Sequence, residues 1–165
     1  MKYGMFFLPL IFASITSCIK DSTPVNHSSA SVPSIVNKTV LLQLVNDARK
    51  KGCNCGNTYY APAAPLTWSD QLEKAAFNHS MDMFENKYFS HVGSDGSNSS
   101  ERIISTGYNC KWYGENIAQG YPSEKEVVAG WLSSPGHCAN IMNKNFKEMG
   151  VARASDYWTQ DFGSR

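Results

Sequence analysis

Cysteine placement constrains this chain more than any other feature. Five cysteines occur in 165 residues: Cys18 at the end of an N-terminal apolar run, then Cys53, Cys55, Cys110 and Cys138. The run "MFFLPLIFASIT", Met5 to Thr16, follows Lys2, contains Pro9 and is too short to span a bilayer. It reads as the n-region and h-region of an export signal. An exported chain meets an oxidising compartment, so the remaining even set of four cysteines reads as two disulfides. Cys53 and Cys55 are separated by one residue, and a bridge between them would strain a very small ring. Each therefore reaches for one of the two distant cysteines. A metal centre built on "CNC" with His137 is the weaker alternative, because oxidation removes thiolate ligands.

The apolar run ends in "ITSC", Ile15 to Cys18, which resembles the bacterial lipoprotein box: a branched apolar residue, two small ones, then the cysteine that receives diacylglycerol. The resemblance implies a signal peptide over 1–17 and lipidation of Cys18. Two or three acyl chains there give a stable membrane anchor, where one chain holds only weakly. In a eukaryotic source, the sequons at Asn26, Asn37, Asn78 and Asn98 are glycosylation candidates instead. The segment "IKDSTPVNHSSASVPS" has hardly any large apolar residue and reads as a flexible tether over 18–34. One folded domain is expected over 35–165, with 42% hydrophobic residues sufficient for a core. The net charge of +1 falls to zero when Lys2 leaves with the leader. A neutral chain without a basic stripe or nucleic-acid motif excludes DNA and RNA as expected partners.

Helical periodicity organises the domain. Val40, Leu41, Leu44, Val45 and Ala48 form one stripe, closed by Gly52. Thr67 with Asp70 reads as the capping box of a second helix, whose buried stripe is Leu72, Ala75, Ala76, His79 and Met83. His79 on that face reads as a hydrogen-bonded core residue rather than a ligand. Asn98 with Glu101 opens a short third helix that ends before Gly107. Ser123 with Glu126 caps a fourth, burying Val127, Val128, Trp131 and Leu132. In "SPGHCANIM", Ser134 caps a fifth helix and Pro135 takes its first position. His137 then lies in the first turn, where the positive end of the helix dipole favours the neutral imidazole. Strand signals fall in "NCKWYGENIA", "MGVARA" and "YWTQDF", the last two joined as a hairpin through Ser155-Asp156. Helices with a small, mostly antiparallel sheet make an α+β sandwich.

His91, Glu115 and His137 are the candidates for a shared site. Two imidazoles and a carboxylate suit an open zinc site, although their separation in sequence does not by itself bring them together.

"YFSHVGSDG", "GYNCKWYGENIAQG", "VVAGWLSSPGHCANIM", "FKEMGVA" and "YWTQDFG" together resemble the bacterial branch of the CAP superfamily: cysteine-rich secretory proteins, antigen 5 and pathogenesis-related proteins. The similarity runs from about Ile35 to Gly163. It implies a three-layer α-β-α sandwich with a small, mostly antiparallel central sheet, and a cleft where His91, Glu115 and His137 converge. It also implies Cys55–Cys138, since similar bacterial sequences pair a cysteine after the first helix with the one in "GHC"; Cys53–Cys110 is then left. Many eukaryotic members carry a second cleft glutamate three residues after the helix tryptophan, where this chain has Ser134.

The favoured reading is an extracytoplasmic binding module at the cell envelope, anchored to the membrane through lipid. Its cleft takes a lipid or sterol-like ligand, a metal ion or an envelope partner. No cofactor is required; zinc held by His91 and His137 is the candidate ion. The alternatives are a zinc-dependent hydrolase or peptidase using the same cleft, and a purely structural polar cluster. A hydrolase lacks a second carboxylate to act as base while Glu115 binds metal. Ser133 and Ser134 lack a nucleophile-elbow motif and an obvious orienting acid.

Overall fold

The computed structural model describes residues 36–165. The leader, Cys18 and the tether therefore lie outside the described residues. The elements run α1 (Lys38–Lys51), β1 (Cys53–Cys55), β2 (Thr58–Tyr60), β3 (Thr67–Trp68), α2 (Asp70–Asn86), α3 (Ser99–Ser105), β4 (Trp112–Gln119), α4 (Glu124–Ser133), α5 (Pro135–Met142), β5 (Glu148–Ala154) and β6 (Tyr157–Ser164).

Local signals set the helix ends. Asn98 accepts from the Glu101 amide while the Glu101 carboxylate accepts from the Asn98 amide, a complete capping box. Ser123 accepts from the Glu126 amide at the start of α4. Two cap expectations are corrected. The α2 cap is Ser69, whose hydroxyl accepts from the Leu72 amide at 3.4 Å. Thr67 is drawn instead into β3, where its amide donates to the Lys147 carbonyl at 3.0 Å. Ser134 does stand at the N-cap of α5, but its side chain makes no capping hydrogen bond.

The central sheet has the order β3-β5-β6-β4. Only β3 with β5 is parallel; β5–β6 and β6–β4 are antiparallel. Helix α2 lies across β5 and β6 on one side, with α3 beside it, while α1, α4 and α5 pack on one another, with α4 and α5 against β4. That is the three-layer α-β-α sandwich. The approach of α2 is so close that a Cβ on Gly150 would sit 2.0 Å from the Glu73 backbone nitrogen. A separate β1–β2 hairpin follows α1, a feature the sequence patterns did not reveal.

The main core gathers Leu41, Val45, Trp131, Ile141, Met149, Val151, Trp158 and Phe162. Its sequence-invisible member is Arg49, which is fully buried. Its guanidinium donates to the carbonyls of Ala64 (2.7 Å), Ile141 (2.7 Å), Asn143 (3.0 Å) and Phe146 (3.4 Å). Burial pulls its pKa down to about 10, so it stays charged at pH 7. It serves as a charged tie-bar between the segment before β3 and the end of α5 with the segment after it.

Cys55 is joined to Cys138, with Cα atoms 5.4 Å apart and 83 residues of separation along the chain. Closing so long a loop removes freedom from the unfolded chain. The expected Cys53–Cys110 bridge does not form, and both residues carry free thiols. Cys53 packs on the main core beside the first bridge, whereas Cys110 packs on a second cluster of Leu72, Ala75, Ile103 and Tyr108. The even count is therefore not filled by two bridges, because the fold delivers two cysteines to the same partner.

Candidate binding cleft

An open cleft of about 670 Å³ runs past β4, an edge strand of the sheet. Phe89, Ser90 and His91, from the loop after α2, line it together with Ile117 to Gln119 of β4. Tyr121 and residues of α4 and α5 complete it: Gly130, Trp131, Ser133, Ser134 and His137. The wall is apolar along Phe89, Ile117, Tyr121 and Trp131, with both histidines, three serines and Gln119 supplying polar edges. No Asp or Glu is among the lining residues.

The edge of β4 is latched to the helices. The Glu115 carbonyl accepts from Asn140 Nδ2 (3.1 Å) and the Ile117 carbonyl from Trp131 Nε1 (3.3 Å). Asn116 Nδ2 donates to the His137 carbonyl at 3.2 Å and to Gln160 Oε1 at 3.1 Å. His137 is thus fixed on one side by Asn116 and on the other by the bridged Cys138. Burial lowers its pKa first and the nearby His91 second, so the ring is neutral at pH 7. The helix dipole, invoked from sequence for the same outcome, is not needed.

His91 and Glu115 do meet, but not as equals in one pocket. His91 Nδ1 lies 2.7 Å from Glu115 Oε1, and the His91 side chain is 54% exposed while that of Glu115 is 2% exposed. Glu115 therefore sits beneath the cleft wall, where its Oε1 can only accept, so that His91 carries a proton on Nδ1. Its other oxygen accepts from Arg102 Nη2 at 2.7 Å. The same Nη2 donates to the His91 carbonyl at 3.0 Å, and Nη1 to the Ser97 carbonyl at 2.8 Å. One guanidinium thus holds both the carboxylate and the loop that carries the histidine. Sequence reasoning missed Arg102; its place four residues after the Asn98 cap was the only available cue.

His79 is a core residue as its face predicted. Its Nε2 donates to the Ser90 carbonyl at 2.9 Å, securing the loop one residue before His91. Desolvation holds its pKa below the usual value. Asp161 is a second missed residue, paired in register with Glu115 and fully buried. Burial, then the Glu115 charge, push its carboxyl well above the ordinary carboxylate value. It supplies a second acid near the site, but from behind the sheet wall rather than from the position Ser134 occupies.

A zinc centre on these side chains is poorly matched. Both oxygens of Glu115 are engaged, leaving two imidazoles where catalytic zinc takes three protein ligands. Among the described residues, the one group of three potential ligand atoms lying within 4.8 Å of each other is Cys53, Cys55 and Cys138. Two of those sulfurs share a disulfide.

The family model for "CAP: Cysteine-rich secretory protein family" matches residues 42–162. Two relatives come from Bacillus subtilis (strain 168). The uncharacterized membrane protein YlbC is 37% identical over 102 residues, covering 62% of this chain and 30% of that protein. The uncharacterized protein YkwD is 33% identical over 140 residues, covering 82% and 51%. This chain thus spans less than two thirds of the length of either. Among solved structures, an extracellular protein containing a SCP domain from Bacillus anthracis str. Ames superposes with a TM-score of 0.69 at 28% identity, covering 77% of this chain and 40% of that one.

Proposed function

Because the chain belongs to the CAP family of cysteine-rich secretory proteins, we propose that it is an exported, membrane-anchored binding module whose cleft takes an amphipathic, lipid-like ligand. The observation that carries this reading is the make-up of the cleft. An apolar wall of Phe89, Ile117, Tyr121 and Trp131 faces imidazoles that are firmly mounted, with no carboxylate on the lining. An apolar tail finds the wall, and a polar head finds hydrogen-bonding rings. A hydrolase needs a free general base beside its nucleophile, and Glu115 is already spoken for by Arg102 and His91. Anchoring through Cys18 and an envelope location extend the proposal; an extracellular SCP-domain relative supports export.

The test is a titration of the full chain with a fluorescent long-chain fatty acid. Saturable binding that weakens roughly tenfold in Phe89→Ala or His137→Ala supports the cleft. Circular dichroism must confirm that the variants are folded. Absence of saturable binding in the wild type removes the lipid reading. Zn²⁺ titration in parallel, with His91→Ala and His137→Ala, separates an ion ligand from a lipid one. Metabolic labelling with palmitate, lost in Cys18→Ala, tests the anchor.

A further inference from the structure

Cys53 and Cys55 are two residues apart on β1, so both side chains leave the same face of the strand. That face meets α5, and the three sulfurs of Cys53, Cys55 and Cys138 lie within 4.8 Å of one another. Cys53 Sγ is 3.6 Å from Cys138 Sγ. Accessibility divides the trio. Cys138 is wholly buried and Cys55 is 4% exposed, whereas Cys53 is partly exposed. Of the three, Cys53 is the one with residual solvent exposure, so an outside oxidant or thiol meets it before the bridged pair.

We propose that Cys53 is an exchange thiol that loads and shuffles the buried Cys55–Cys138 bridge, with an outside disulfide carrier, RSSR, as its partner. Starting from the three thiols, the Cys53 thiolate attacks RSSR, forming the mixed disulfide Cys53–SR and releasing one RSH after protonation. The Cys138 thiolate then attacks Cys53 Sγ, forming Cys53–Cys138 and expelling the second RSH. Finally the Cys55 thiolate attacks Cys138 Sγ; the Cys53–Cys138 bond breaks and its electron pair returns to Cys53, which is reprotonated. Two protein thiols have been oxidised and one RSSR reduced to two RSH. The last step is reversible and redox-neutral, so Cys53 can also displace Cys55 in the finished protein. Cys138 remains bridged in both isomers, and α5 with His137 stays fastened to β1 throughout. Burial pushes the Cys53 thiol up, which keeps this shuffling slow in the resting protein.

The inference is independent of what the cleft binds. The experiment uses the full chain with Cys18→Ser and Cys110→Ser, so that only the trio contributes thiols. The protein is reduced without denaturant, checked for retained fold by circular dichroism, and reoxidised with glutathione disulfide. The bridge is followed by alkylation and peptide mass spectrometry. Adding Cys53→Ser should slow bridge formation roughly tenfold or more and leave the final fold unchanged. Adding Cys55→Ser instead should trap a Cys53–Cys138 disulfide, a readout that holds even where reduction loosens the fold. Equal reoxidation rates with and without Cys53, or free Cys53 and Cys138 thiols in the Cys55→Ser protein after oxidation, overturn the proposal.

Discussion

The two faces of the central sheet differ in the balance of what they bury. Toward α1, α4 and α5 the strands present Met149, Val151, Trp158 and Phe162 to an apolar core. Toward α2 and α3 they present Thr159, Asp161 and Glu115, which meet Ser80, His79 and Arg102. Ser80 Oγ donates to Thr159 Oγ1 at 2.9 Å, and neither side chain is exposed. The first face contributes mainly apolar packing, with the buried Asn116 and Gln160, hydrogen-bonded to each other at 3.1 Å, as its polar pair. The second contributes direction, since each hydrogen bond fixes an angle as well as a distance, and it ends on His91 at the rim of the cleft. A buried polar layer under one side of a small sheet is a costly way to fill space, and a reasonable way to aim a ring.

Neighbouring residues on β6 break this comparison most sharply. Trp158 is 1% exposed and its Nε1 donates to the Tyr121 carbonyl at 2.9 Å. Trp158→Ala should cost about 3–5 kcal/mol in urea unfolding. Asp161→Asn, three residues on and facing the other way, should cost far less at neutral pH. Similar losses for the two would mean that the faces do not differ as described.

Arg49→Met comes next, at about 3 kcal/mol. It removes a charge whose burial is unfavourable, but it leaves the carbonyls of Ala64, Ile141 and Asn143 without their donor. A neutral or stabilised variant would show that the guanidinium is tolerated rather than needed.

The smallest effect is in the pH profile of Asp161. Its folded pKa is raised from the ordinary 3.8, so above that value the native state holds a proton the unfolded chain has released. Its contribution is fully present below the unfolded pKa and is lost as pH rises through the folded one. Unfolding free energies of wild type and Asp161→Asn, compared at about pH 4 and pH 8, should therefore shift in favour of the variant at the higher pH. A difference that is flat with pH, or runs the other way, would place an ionised carboxylate there instead.

What was legible in the sequence follows the range of the interaction. The Asn98/Glu101 and Ser123/Glu126 caps are local, and both form as read. The α2 stripe from Leu72 to Met83 is buried at every position named, because a helix face needs only one partner surface. The Ser155-Asp156 turn joins β5 to β6, with Ser155 at φ 55°. Long-range partnerships were harder. Thr67 resembles a cap as well as Ser69 does, and the Lys147 carbonyl, 80 residues away, decides between them. Cys53 and Cys110 satisfy a count but belong to different clusters. Arg49, Arg102 and Asp161 look like surface charges in a linear reading, since only the folded contacts give them buried partners. Of the cleft residues, His91 and His137 do line one opening, while Glu115 supports His91 from behind.

The central claim is that Glu115, braced by Arg102, holds His91 through a proton on Nδ1. Nitrogen-15 NMR of the histidine rings at neutral pH tests it directly. The account predicts that neutral His91 is predominantly the Nδ1–H tautomer in the wild type and loses that preference in Glu115→Ala. A wild-type ring dominated by Nε2–H, or one unchanged by removing the carboxylate, would contradict it.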